Sequence, residues 1–98
     1  MDRLPTFWRL ENFEDRLDAW IAVENPTEDL RFIVTEWVLT RFDHPYTDVS
    51  REPEFPNLWF GAIPQSQHAG RVVVCAYWIV EDERLVRCDQ VASLRRPV

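Results

Sequence analysis

At 98 residues with a formal charge of −6, this chain is long enough for one hydrophobic core and too short for two. Its 46% hydrophobic content, with five Trp and six Phe, excludes a disordered chain, and no apolar run approaches the about 20 residues that a membrane helix needs. Residues 1–98 are therefore expected to form a single domain, and the opening Met1-Asp2-Arg3-Leu4-Pro5, which lacks a basic-then-apolar leader pattern, places it in the cytosol.

In chain order, the stretch Thr6–Leu10 is a short extended candidate, with Trp8 and Leu10 on one face and Arg9 on the other. Asn12 can cap a helix that begins at Phe13, with Glu14 and Asp15 in its first turn, where the helix dipole favours acid. Phe13, Leu17, Trp20 and Ile21 fall on one stripe, and this helix ends near Glu24. The run Asn25-Pro26-Thr27-Glu28 reads as a second start, with Asn25 as the cap, Pro26 at the first helical position and Glu28 completing a capping box. Leu30, Ile33, Val34, Trp37 and Val38 make the core face of this second helix. So short a connection predicts an antiparallel helical hairpin. The second helix stops by Phe42, because Pro45 disfavours the helical conformation at His44.

From there to Asn57 a loop is expected, carrying Pro45, Pro53 and Pro56; loops of this length are uncommon in small domains. Leu58–Ile63 reads as a strand stopped by Pro64, and Gln65–Gly70 connects it to Arg71–Val80. This last stretch holds an unbroken apolar run, mostly β-branched or aromatic, and suits a central strand covered on both sides. After the acidic turn at Glu81–Glu83, Leu85–Val91 alternates, with Arg87 and Asp89 on one face and Val86 and Cys88 on the other. A turn centred on Asp82 and Glu83 sets Cys88 opposite Tyr77, with Cys75 as its diagonal neighbour; a turn one residue earlier pairs the two cysteines directly. No metal-binding cysteine spacing is present, and free, buried thiols are expected. The expected fold class is α+β: a four-stranded, mainly antiparallel sheet with the helical hairpin packed on one face, in the order β-α-α-β-β-β.

The charge is unevenly placed. Met1–Glu54 holds 6 basic and 13 acidic residues, and Phe55–Val98 holds 5 basic and 4 acidic ones, so RNA contact is disfavoured overall and, if made, falls to the back half. Arg71, Arg84, Arg87, Arg95 and Arg96 are of the type that holds a phosphodiester, although solvated strand-end charges are the plainer reading. His44 and His68 fall in loops, where each is either a general base or a surface residue. Asp43, His44 and Asp48 match no established ligand spacing, so neither a metal nor a cofactor is expected. Trp59, Phe60, Tyr77 and Trp78 lie on adjacent strands, and alternation sends some of them to the face without helices. That face is either a partner surface or the seat of the long loop.

The order of strand, helical hairpin, loop and three-stranded meander resembles the RelE/ParE toxin family of bacterial toxin-antitoxin systems. The likeness is carried by Trp20-Ile-Ala-Val-Glu-Asn-Pro-Thr-Glu-Asp-Leu-Arg-Phe-Ile33, by His44-Pro45 after the second helix, and by Arg71, Tyr77 and the valine-rich strand. It implies a growth inhibitor acting by Arg-assisted RNA cleavage or on a protein target, with Arg71, Arg87, Tyr77 and His68 as catalytic candidates. Trp59, Trp78, Arg84 and Arg95 are the partner-binding candidates, toward a small antitoxin or a second copy. Two features depart from the family pattern: the chain is acidic with no lysine, and Val91-Ala-Ser-Leu-Arg95 stands where many members carry a C-terminal His or Tyr, leaving only Ser93. The other expectation is therefore a non-catalytic interaction module that dimerises through the open sheet face.

Overall fold

A computed structural model describes residues 7–95, so Thr6, the first residue of the expected opening strand, and Arg96 lie outside the described residues. The elements run β1 (Arg9–Glu11), α1 (Phe13–Glu24), α2 (Glu28–Thr40), β2 (Ser50–Glu52), β3 (Phe55–Ala62), β4 (Arg71–Val80), a 3-10 turn at Glu81–Glu83 and β5 (Leu85–Arg95). The class is α+β, but the sheet has five strands in the order β1-β5-β4-β3-β2 and is mixed, where four mainly antiparallel strands were expected. β1 pairs parallel to β5, with Arg9 opposite Leu85 and Glu11 opposite Arg87. A parallel neighbour needs a long crossover, and the helical hairpin lies between these two strands in the chain.

The other correction is β2, which forms inside the expected loop and caps the far edge against β3. β3 itself begins at Phe55 rather than Leu58. The pairing slips between Arg51, opposite Trp59, and Glu52, opposite Phe55. The slip brackets Pro56, whose missing N–H cannot donate to a ladder.

β4 is the central strand, with the bounds read from the sequence. Its register with β5 sets Val80 opposite Leu85 and Tyr77 opposite Cys88, so the turn is the one centred on Asp82 and Glu83. A bulge beside Ala76 then puts Cys75 opposite Val91. Both thiols are free and buried. The adjoining Cys88 and burial both push the Cys75 thiol up, away from reactive thiolate.

Alternation along β4 sends Val73, Cys75, Tyr77 and Ile79 into a core shared with Phe13 and Trp20 of α1 and with Leu30, Val34, Trp37 and Val38 of α2. On the opposite side Val74, Ala76, Trp78 and Val80 are only half-buried, so β4 is covered on one face, not two. The segment after α2 packs on the helix side as well. Pro45 is buried, Val49 packs against the core, and the backbone of Asp48 and Val49 crosses directly over Gly61.

The helix ends depart from expectation in one informative way. Asn12 makes no side-chain cap, and Asn25 does not start α2; it ends α1, at φ 45°, with its N–H donating to the Ile21 carbonyl. Asn tolerates this left-handed conformation better than most residues, which suits it to a helix C-terminus. The cap of α2 is Thr27, whose Oγ1 accepts from the Leu30 N–H at 3.2 Å. Thr27→Ala is therefore expected to cost about 1 kcal/mol in a urea titration. Asn25→Gly, which keeps access to the left-handed conformation, is expected to stay within about 0.5 kcal/mol of the parent. The reverse ranking would place the cap back at Asn25.

Candidate functional site

The face of the sheet away from the helices carries an apolar row. The register puts Leu58 and Arg87 on either side of Trp78, Phe60 and Gln90 on either side of Ala76, and Ala92 opposite Val74. Directly paired residues share a face, so these side chains form one surface. Phe55 stands edge-on to Trp78, with ring centroids 6.1 Å apart. Phe55 is 50% exposed and Phe60 39% exposed. The charges that reach this face near its centre are Arg87 and Glu11, which pair with each other at 3.0 Å.

The catalytic candidates divide between different parts of the molecule. Arg71 lies at the start of β4, on the helix side, where it pairs with Glu24 at 2.7 Å. His68 is its neighbour: the two exchange backbone hydrogen bonds across a tight turn in which Ala69 (φ 47°) and Gly70 (φ 74°) are both left-handed. The Nδ1 of His68 donates to the Ser66 carbonyl at 2.9 Å, which leaves Nε2 as the basic nitrogen of a neutral ring. His68, Arg71 and Glu24 line one groove of about 430 Å³. Arg87, opposite Trp78, lies seven residues further along β4 and on the other face. At about 3.4 Å per residue that is roughly 24 Å from Arg71, too far for one phosphate to meet both.

Tyr77 belongs to neither place, which corrects its assignment beside a scissile bond. It is fully buried, its hydroxyl donates to the Pro45 carbonyl, and it accepts from Arg41 at 3.0 Å. Burial pushes its phenol up to about 12, against the downward pull of Arg41. A proton held that firmly is unsuited to acid-base work near neutrality.

The partner-binding candidates also separate. Trp78 is on the open face. Trp59, opposite Tyr77, faces the helix side and packs edge-on to Tyr46 at 5.0 Å, so it contributes nothing to the open surface. Arg84 sits in the β4–β5 turn with its guanidinium 4.5 Å from the Trp8 ring centre. Arg95 is exposed and directly opposite Arg71, forming a basic end to the sheet beside Glu24. Ser93, the residue left in the C-terminal position, is buried and accepts from Trp20 Nε1 at 3.0 Å, a packing role.

Sequence reasoning missed Arg41. It is 1% exposed, and its guanidinium stacks 3.9 Å from the Trp37 ring centre. Its position in the last turn of an amphipathic helix, four residues after Trp37, was the available signal. Among the described residues no group of three or more His, Cys, Asp or Glu could hold a metal ion. No helix described is long and apolar enough to cross a membrane. No protein-family model, curated protein or solved structure matches this chain.

Proposed function

We propose that this protein is a binding module, RelE/ParE-like in the order of its elements, that pairs with a second copy of itself through the open sheet face. The observation that carries this reading is the row Phe55, Leu58, Phe60, Ala76 and Trp78, an apolar aromatic surface with no element over it among the described residues. Charge favours a second copy as its occupant. The helices hold seven acidic residues and two arginines, which accounts for −5 of the −6 total, while near the centre of the open face Arg87 is matched by Glu11. Two copies meeting sheet to sheet bring these apolar rows together about 10 Å apart and turn their acidic helices outward.

The test is sedimentation equilibrium up to on the order of 100 μM. The parent is expected at twice its 11.7 kDa chain mass. Trp78→Glu is expected to sediment as a monomer with an unchanged circular dichroism spectrum, because a central Trp carries at least about 2 kcal/mol of an interface and a buried carboxylate opposes it further. A monomeric parent at the highest concentration would overturn the reading.

A growth-inhibiting role against a protein target, relieved by a small antitoxin, is the second reading. It is favoured over RNA cleavage by the distance between Arg71 and Arg87 and by the burial of Tyr77. Induced expression in a bacterial host separates the two: growth arrest that survives Arg71→Ala but not Trp78→Glu would support a protein target, and unimpeded growth would leave self-pairing alone.

A further inference from the structure

β1 pairs Arg9–Glu11 with Leu85–Arg87, the first three residues of β5, and the chain then turns away at Asn12 into α1. The rest of β5, Asp89–Arg95, is a sheet edge with no strand beside it among the described residues. Its length is roughly 24 Å, at about 3.4 Å per residue. Among the described residues, Asp89–Arg95 makes no backbone hydrogen bond outside the sheet ladder. Such an edge is a template for another strand unless it is shortened, covered or charged. Here Gln90-Val-Ala-Ser-Leu94 carries no charge, and the charges stand at the two ends, on Asp89 and Arg95. Both are exposed, and neither joins an ion pair among the described residues. Arg95 is opposite Arg71, whose own charge is matched by Glu24. The space beside the edge is open: a groove of about 400 Å³ separates it from the flank of α1, where Arg16, Ala19 and Val23 form the facing wall. The bond from Trp20 to Ser93 holds that wall over β5, and Val23 stands 82% exposed on it.

We infer that this groove takes an extended peptide segment of a partner protein, added antiparallel to β5 along Asp89–Arg95, with an acidic residue opposite Arg95 and a basic one opposite Asp89. In an addition of this kind backbone hydrogen bonds give the affinity and alternate side chains the specificity. Opposite charges facing each other across two strands stabilise the pairing, and like charges oppose it, so the two end residues fix the direction of the peptide. Val91 and Ser93, opposite Cys75 and Val73, face the helix side. The peptide residues opposite them therefore enter the groove against Ala19 and Val23, which suits small apolar side chains. A second copy fits this edge less well. Pairing two such edges sets α1 against α1, and each α1 carries four acidic residues and one arginine. The inference concerns the outer edge of β5 and is independent of the open-face reading.

The experiment uses the full chain labelled with 15N and titrated with the end-capped peptide Glu-Thr-Val-Thr-Val-Thr-Lys and, separately, with the same residues in reverse order. The first peptide is expected to move the amide signals of Val91–Arg95 and to leave the Trp78 Nε1–H signal on the open face in place, with a Kd on the order of 1 mM or tighter. The reversed peptide is expected to bind about fivefold or more weakly, because each of its ends then meets a like charge. Asp89→Lys combined with Arg95→Glu changes only exposed side chains; it is expected to keep the parent's dispersed spectrum and to invert the preference between the two peptides. Amide signals of Val91–Arg95 that stay fixed, equal binding of the two peptides, or a preference that survives the double exchange would each overturn the inference. So would a response confined to Trp78, which would put the peptide on the open face, or edge signals that move on dilution of the protein alone, which would put a second copy on the edge.

Discussion

Trp20→Ala is expected to destabilise the protein by about 3–5 kcal/mol, the range for removing a large aromatic from a core. Trp20 is 3% exposed, and it joins α1 to β5 in two ways, by apolar burial and by its Nε1–H bond to the Ser93 hydroxyl at 3.0 Å. Against a total stability of about 5–15 kcal/mol for a domain, the loss takes a fifth or more of what holds the molecule folded. Trp20→Phe separates the two contributions. It keeps most of the apolar area and strands the Ser93 hydroxyl, so about 1–3 kcal/mol is expected. Urea titration with an unchanged slope reads both values. A Trp20→Ala protein within about 1 kcal/mol of the parent would mean that α1 does not rest on β5 as described.

Gly61→Ala is expected to lower the melting temperature by about 4–24 °C, and Gly61→Val by more, which thermal unfolding followed by circular dichroism would measure. Gly61 is opposite Cys75 on the helix face of β3, and the chain entering β2 runs directly across it. An added Cβ meets the Asp48 carbonyl oxygen, with Val49 Cγ1 at 3.1 Å and Val49 Cα at 3.2 Å. Backbone cannot swing aside as a side-chain tip can. Asp48 is also held at φ 67°, a left-handed conformation with little freedom to adjust. Overpacking of this kind costs about 1–3 kcal/mol, and in a domain this size each kcal/mol shifts the midpoint by about 4–8 °C. Because Ser50 pairs with Phe60 just beyond the crossing, the edge strand β2 is the element expected to loosen first. An unchanged midpoint in Gly61→Ala would show that the segment does not cross there.

The helices and the central strand were legible because their signals are local. The stripe Phe13, Leu17, Trp20, Ile21 needs no partner to be recognised, and α1 spans Phe13–Glu24 as the pattern indicated. The nine apolar residues after Arg71 likewise announced β4. The turn after β4 left two registers open, and pairing across the sheet chose the one in which Cys88 is opposite Tyr77 rather than Cys75. The caps were misread for a related reason. Asn25 and Thr27 are both competent cap residues two positions apart, and only the path of the chain between the helices assigns one to end α1 and the other to begin α2.

The candidate sites depended almost wholly on tertiary structure. Arg71 and Arg87 look equivalent along the chain, yet one joins His68 and Glu24 at the end of β4 while the other lies on the opposite face beside Trp78, since alternation and distance along a strand decide which charges can meet. Tyr77 and Trp78 are adjacent in sequence and face opposite ways, one into the core and one to the open surface. Arg41 was marked in the sequence only by its place four residues after Trp37; its burial depends on the segment after α2 folding back over the helix side, where Thr47 and Tyr77 reach the guanidinium. By itself, the sequence determined the class, the helices, the central strand and the uneven charge, all of which follow from short-range periodicity and composition. Only the tertiary structure decided that β1 runs parallel to β5, that the long segment packs on the helix side of the sheet, and that Arg41 lies buried against the Thr47 carbonyl and the Tyr77 hydroxyl, because each depends on how the chain folds back on itself.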